Sequence, residues 1–421
     1  MWLTALAAWC SLNPYFLWGA LPWSMLAAAA FGSVALVWLV VCGTARPVSK
    51  AEAIGISLLT LFILYITFQS RVDGGHSKWV LVLPVAWSVC LMRDEQRSRC
   101  YRAFATLFAV SLIPGVLASI AAASGIPMAF TTIPAGNPRF EADGVRLLHL
   151  PGALFTESNR MVLPNRGVLF RMNGIYDEPG TVGTIAALLL AATGFRLSDW
   201  RSWSLYVAGV LSFSLAFAAL ATAGLTVSAA LRRRWWVLLL LIPVFGATAL
   251  SLGYVRSSTV APGQSSSLSV VSPSGSTAPV VAGRQELRQQ KYIDNRTLPA
   301  MRALIDAYWE SSASVVLFGF ASDASVVRGG ASQTWMRILT DHGLLGFAML
   351  STGLALSLWP FLRSSHKKPW GLLFLVLFGM SVYQRPVIWV PYATLVLFCG
   401  AAVAFRLTPA EGVDVRSNHR S

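Results

Sequence analysis

The sequence predicts an all-α polytopic membrane protein of about 12 transmembrane helices. Three observations predict it: an apolar composition, apolar runs of spanning length, and basic residues that fall on one side of those runs. Of 421 residues, 55% are apolar and 12% charged, where a soluble domain carries about a quarter charged residues. Such a chain has too little polar surface to cover itself in water. At roughly 20 apolar residues per span there is room for about ten to fourteen spans, so a single transmembrane domain over residues 1–421 is expected.

The first charged residue is Arg46, which leaves no basic region of the kind that opens a secretory signal, and the N-terminus is read as retained. The net charge of +15 is read as the basic decoration of membrane loops, not as a nucleic-acid surface. Cys10, Cys42, Cys90, Cys100 and Cys399 lie in or beside apolar segments, so no disulfide or zinc site is expected.

In order, apolar runs place spans at 3–20, 23–42, 54–69, 79–92 and 103–124, then at 179–195, a tight pair within 203–231, and 235–254, 335–359, 370–386 and 387–405. The positive-inside rule tests this layout. With twelve spans, Arg46 and Lys50, the group Arg93, Arg97, Arg99 and Arg102, Arg196 and Arg201, Arg232 to Arg234, and Arg363, Lys367 and Lys368 all share one side with the C-terminal tail. The expectation is a bacterial inner-membrane protein with both termini cytoplasmic. The same parity puts two long loops outside, 125–177 and 255–334, and structureless loops of that length are usually functional. Within the second, residues 258–282 are rich in Ser, Pro and Gly and are expected to be flexible. A helix over 299–311 follows, with Met301, Leu304, Ile305, Tyr308 and Trp309 on one face; it suits either packing over the bundle or a role at the outer interface with a lipid-linked substrate.

These loops carry many arginines, among them Arg139, Arg146, Arg160, Arg166 and Arg171 in the first and Arg256, Arg284, Arg288, Arg296, Arg302 and Arg328 in the second. They are either solvated charge or a clamp for a diphosphate or anionic sugar, which guanidinium forks match well. The sharpest local signal runs from Arg171 through Asn173, Gly174, Tyr176, Asp177, Glu178, Pro179 and Gly180 to Gly183, directly into a span. Pro179 suits a first helical turn. Asp177 and Glu178 then stand at the helix's positive end, as an acidic cap or as a general base. Arg337 and Asp341, four apart, are expected to pair; Arg385, beside Pro386, is a further candidate. Transporters need ionisable or broken sites near mid-membrane, and the span centres here are nearly free of charge.

Arg171, Gly174, Tyr176, Glu178, Pro179, Gly180 and Gly183 resemble the motif of Wzy-type O-antigen and exopolysaccharide polymerases. Arg296, Trp309, the run Leu317, Phe318, Gly319 and Phe320, and the run Gly343, Leu344, Leu345 and Gly346 resemble that family's second-loop pattern. The related O-antigen ligases carry a His-Asn pair where this chain reads Gly330 to Thr334, without such a pair.

The resemblance implies a GT-C-like glycosyltransferase architecture. It implies transfer of a growing glycan from undecaprenyl diphosphate onto a lipid-linked repeat unit at the periplasmic face. Glu178 would be the base, with Asp177 in reserve; Arg171 would work beside them and with Arg296 and Arg328 would hold the diphosphate. Arg160, Arg166, Tyr176, Arg337 and His342 would contact substrate. A chain-length regulator and a flippase of the same pathway are the implied partners, with membrane lipid around the chain and no nucleic acid. The outer loops show no cluster at metal-ligand spacing, so no cofactor is expected and activity should survive a chelator. An O-antigen ligase and a flippase of lipid-linked oligosaccharide remain the alternatives.

Overall fold

A computed structural model describes residues 1–18, 23–72, 78–134, 146–162, 168–257, 299–321, 324–327, 335–364, 368–384 and 388–407. Helices dominate it. Before the first long loop come α1 (Trp2–Cys10), α2 (Trp23–Val41), α3 (Lys50–Val72), α4 (Leu83–Leu91) and α5 (Asp94–Ala123). After it come α6 (Pro179–Ala192), α7 (Trp200–Leu211), α8 (Leu215–Arg232) and α9 (Leu241–Ser257). The rest comprises α10 (Pro299–Trp309), α11 (Ala313–Phe318), α12 (Ala324–Val327), α13 (Trp335–Ser364), α14 (Lys368–Gln384) and α15 (Pro391–Ala404).

Among the described residues, five helical stretches are long and apolar enough to cross a membrane, at Ser24–Val41, Lys50–Ser70, Asp94–Ala123, Leu215–Arg232 and Met336–Arg363. Shorter apolar helices occupy Lys78–Leu91, Pro179–Ala192, Trp235–Ala249, Pro369–Val382 and Pro391–Ala404. The expected first span is instead the nine-residue α1 followed by a single 3-10 turn at Tyr15–Leu17. At 1.5 Å per residue it reaches roughly 14 Å, half of a hydrocarbon core. Its small residues Ala5, Ala7 and Ala8 are fully buried against neighbouring helices.

The largest departure from an all-α layout is the first long loop, which folds as a four-stranded antiparallel sheet. Its strands are β1 (Thr131–Pro134), β2 (Arg146–Leu150), β3 (Ala153–Val162) and β4 (Val168–Gly174), paired in chain order. Register places Leu147 opposite Thr156 and Phe155 opposite Met172. Along β4 the side chains alternate, Phe170 and Met172 inward and Arg171 toward the rim. Phe130, Phe155 and Phe170 cluster on the inner face. That face rests on α5 where Gly115 makes room, since a Cβ there would meet Met172 Sδ at 2.9 Å.

At the far end of α5 from the sheet, buried charge is paired. Arg46 forms a two-pronged ion pair with Glu52. Glu52 also accepts from the Ser49 amide and hydroxyl at 3.2 and 3.0 Å, closing a cap on α3. Arg97, 2% exposed, donates to the Val89 and Cys90 carbonyls at 3.1 and 2.8 Å. Those carbonyls belong to the last turn of α4, where the helix leaves them without partners. α3 and α13 lie against each other through Gly55, Gly346 and Gly353, and a Cβ on Gly55 would meet the Ser357 amide nitrogen at 2.7 Å. Small residues at such crossings let backbones approach closely.

Candidate functional site

Two polar clusters stand at the sheet end of the bundle. The first grows from β4 into α6. Gly174 turns the chain at φ 62°, a left-handed conformation that glycine adopts without strain. The fully buried Asn173 accepts from Thr156 Oγ1 at 3.0 Å and donates to the Asp177 carbonyl at 3.1 Å, pinning the turn to β3. Arg171, half-buried, donates from Nε to the Ser212 carbonyl at 3.1 Å, tying the sheet to the turn between α7 and α8. Asp177 and Glu178 are half-buried at the same rim. Glu178 occupies the N-cap position of α6 in extended backbone conformation, yet its carboxylate does not cap the helix amides. The acidic-cap reading then rests on its place at the helix's positive end alone.

Tyr176 leaves the substrate-contacting set. Its ring is fully buried, stacks on Phe108 at 5.3 Å, and its hydroxyl lies 2.8 Å from Ser111 Oγ. Burial pushes its phenol up in pKa, with the Ser111 hydrogen bond pulling the other way. Of the first motif, then, Met172, Asn173, Ile175 and Tyr176 build the core under the sheet, while Arg171, Asp177 and Glu178 face the rim.

The second cluster forms where α13 breaks. Gly343 sits at φ 68° and ψ −177°, outside helical conformation. The break frees the carbonyls of Asp341 and His342, and α3 takes them up. Gln69 Nε2 donates to Asp341 O at 2.9 Å and to Phe318 O at 3.2 Å. The Tyr65 hydroxyl lies 2.5 Å from Phe318 O and 3.1 Å from His342 O. Glycines make this joint possible. A Cβ on Gly343 would meet the Gly319 amide nitrogen at 2.5 Å, and one on Gly319 would meet the His342 amide nitrogen at 2.6 Å. The two glycine-bearing runs singled out in the sequence are thus the two halves of one contact.

The Arg337 and Asp341 pair is present, with Nε 3.1 Å from Oδ2. Ser325 adds its amide and hydroxyl to the same carboxylate at 2.8 and 2.9 Å. With three donors and 1% exposure, Asp341 is a structural anchor that holds α12 and Arg337 together. His342, 5% exposed, has Nδ1 2.8 Å from Gln69 Oε1. Its ring meets Phe62 and Trp389 edge-on, each at 5.9 Å between centroids. Phe62 and Trp389 also line an apolar cleft between α3, α4, α13 and α15. Its walls, among them Leu59, Trp87, Leu354 and Phe398, hold no charged group. Ionisable groups at this end therefore cluster above the cleft, not inside it.

Over this cluster lie α10 and α11. Leu304 and Tyr308 turn inward, and the Tyr308 hydroxyl donates to Val316 O at 2.5 Å. Trp309, Leu317, Phe318, Leu344 and Leu345 are exposed, as befits an interfacial position. The helix expected at 299–311 is α10. Arg160 lies on β3, while Arg166, Arg296, Arg328, Arg385 and the segment 258–282 fall outside the described residues. No three His, Cys, Asp or Glu residues gather as a metal site among the described residues. Sequence reading missed Gln69, Tyr65, Ser325 and Trp389. A glutamine ending an apolar run was the only available signal for Gln69, and nothing linked it to His342. No family model, curated protein or solved structure matches the chain.

Proposed function

We propose that this chain is a polymerase of bacterial surface polysaccharide. It would move a growing glycan from undecaprenyl diphosphate to a hydroxyl of a lipid-linked repeat unit, at the outer face of the inner membrane. In this reading the bundle is a GT-C-like domain of about 12 passes, and its basic end is cytoplasmic. The observation that carries the proposal is that both motif regions lie toward one end of an apolar bundle: Arg171, Asp177 and Glu178 where the sheet meets α6, and Arg337 and His342 where α13 breaks against the end of α3. Glycosyl transfer from a lipid diphosphate needs a base for the incoming hydroxyl and fixed cations for the departing diphosphate. Arg171 and Arg337 supply cations; Glu178, Asp177 and His342 are the groups able to take the proton.

The test is product analysis in cells lacking the protein, complemented with wild type, Arg171→Ala or Glu178→Ala at verified membrane levels. Long polysaccharide with wild type, and single lipid-linked units with Arg171→Ala, is the expected result. Single units that never reach the outer leaflet without the protein would make it a flippase. Glycan joined to a different lipid acceptor would make it a ligase.

A further inference from the structure

The Gln69 amide decides which nitrogen of His342 carries the hydrogen. Both Nε2 hydrogens of Gln69 are committed to carbonyl oxygens, Asp341 O at 2.9 Å and Phe318 O at 3.2 Å. Turning the amide over would set its oxygen against those two oxygens. Oε1 therefore faces His342 Nδ1 at 2.8 Å and can only accept. Neutral His342 thus holds its hydrogen on Nδ1 and a lone pair on Nε2. Among the described residues no hydrogen bond reaches Nε2, and Phe62 and Trp389 fix the ring from two sides. The two carbonyls that orient Gln69 are themselves products of the joint at Gly319 and Gly343, so the tautomer is built into the fold.

Resting on the polymerase reading, we propose that Nε2 of His342 is the proton acceptor for the attacking sugar hydroxyl, and that Gln69 is the positioning residue that fixes its tautomer. The hydroxyl O–H bond breaks with its proton passing to Nε2, and the oxygen forms a bond to the donor's anomeric carbon. The bond from that carbon to the diphosphate oxygen breaks, and its electron pair leaves on the polyprenyl diphosphate. Nδ1–H stays on Gln69 throughout. Asp341, which three donors already satisfy, takes no part in the proton transfer.

The experiment uses the full chain in nanodiscs, labelled with ¹⁵N-histidine, with His342→Gln to assign the signal. The expected spectrum shows a protonated Nδ1 and an unprotonated Nε2; a hydrogen on Nε2 would overturn the proposal. In parallel, turnover of undecaprenyl-diphosphate-linked repeat units is measured. His342→Gln should lose roughly 100- to 10,000-fold, the usual span of a general base. Gln69→Leu should also lose activity and, in the same ¹⁵N spectrum, let the hydrogen of His342 move to Nε2. A purely structural role for Gln69 predicts loss of activity with Nδ1 of His342 still protonated, an outcome that would remove Gln69 as the positioning residue. Loss of transfer in Glu178→Gln with full transfer in His342→Gln would assign the base to the carboxylate and sink the proposal. If wild type yields no polymer at all, the polymerase reading itself falls, and the assignment of a base falls with it even if the tautomer is as expected.

Discussion

At the end of the bundle that carries Arg46 and Arg97, carbonyls left over by α4 are taken up by guanidinium groups. At the sheet end, carbonyls left over by the break in α13 are taken up by an amide and a phenol, Gln69 and Tyr65. The problem is the same at both ends, since an orphaned carbonyl away from water is costly. The solutions differ in charge. Cations at one end close on Glu52 and on carbonyls, while the other end takes up its carbonyls with neutral groups and, among the described residues, leaves the Nε2 lone pair of His342 unclaimed. A closed ionic network suits a support; at the sheet end the Arg337 and Asp341 pair sets the field beside His342, and only the carbonyls of the break are left to neutral donors.

This comparison can be broken by substitution. The largest effect is expected from Glu52→Ala, which strands Arg46 and should cost about 3–5 kcal/mol, read as a fall in melting temperature in detergent; an unchanged melt would show that the ionic knot is ornamental. Gly343→Ala comes next. Its backbone conformation is one that only glycine adopts readily, worth up to about 3 kcal/mol, and the added Cβ would press on Gly319. The same melt, together with loss of the His342 signal described above, would register it. Tyr65→Phe removes one neutral donor and should cost about 1 kcal/mol. If it costs as much as Glu52→Ala, the supposed contrast between the two ends disappears.

The smallest effect concerns Asp199, which caps α7 by accepting from the Ser202 amide at 2.9 Å. Burial alone would raise its pKa, but the Ser202 amide and hydroxyl and the Arg201 guanidinium hold it below the usual carboxylate range. A lowered folded pKa contributes stability above the unfolded value and loses it as pH falls through the folded one. Asp199→Ala should therefore cost about 1 kcal/mol at pH 7, and the gap from wild type should close on acidification below about pH 4. A gap that persists at pH 2 would show that the carboxylate's charge is irrelevant there.

The long apolar helices were legible because hydropathy over a span-length window reports directly on burial in lipid or bundle. Helix α10 was legible from the spacing of Leu304 and Tyr308, and the Arg337 and Asp341 pair from its i,i+4 spacing. The sheet was not, although Phe170, Arg171 and Met172 alternate in and out; a run that short looks the same in a loop, and only pairing with β3 gives it meaning. Tyr176 entered the substrate-contacting set through the motif resemblance alone, and its burial could not be read there because Ser111 on α5 meets its hydroxyl from far away in the chain. Gln69 was invisible for a related reason. Its partners become available only when α13 breaks at a glycine hundreds of residues later in the chain, and one sequence carries no trace of such a long-range pairing.

The joint between Gly319 and Gly343 is made of main-chain atoms. Side chains other than Tyr65 and Gln69, which take up its carbonyls, can therefore drift over generations without disturbing it, provided those two positions stay glycine. Geometry held in this way outlasts resemblance: among distant descendants of a common ancestor, the paired glycines should persist as a landmark after the residues between them have lost any recognisable likeness.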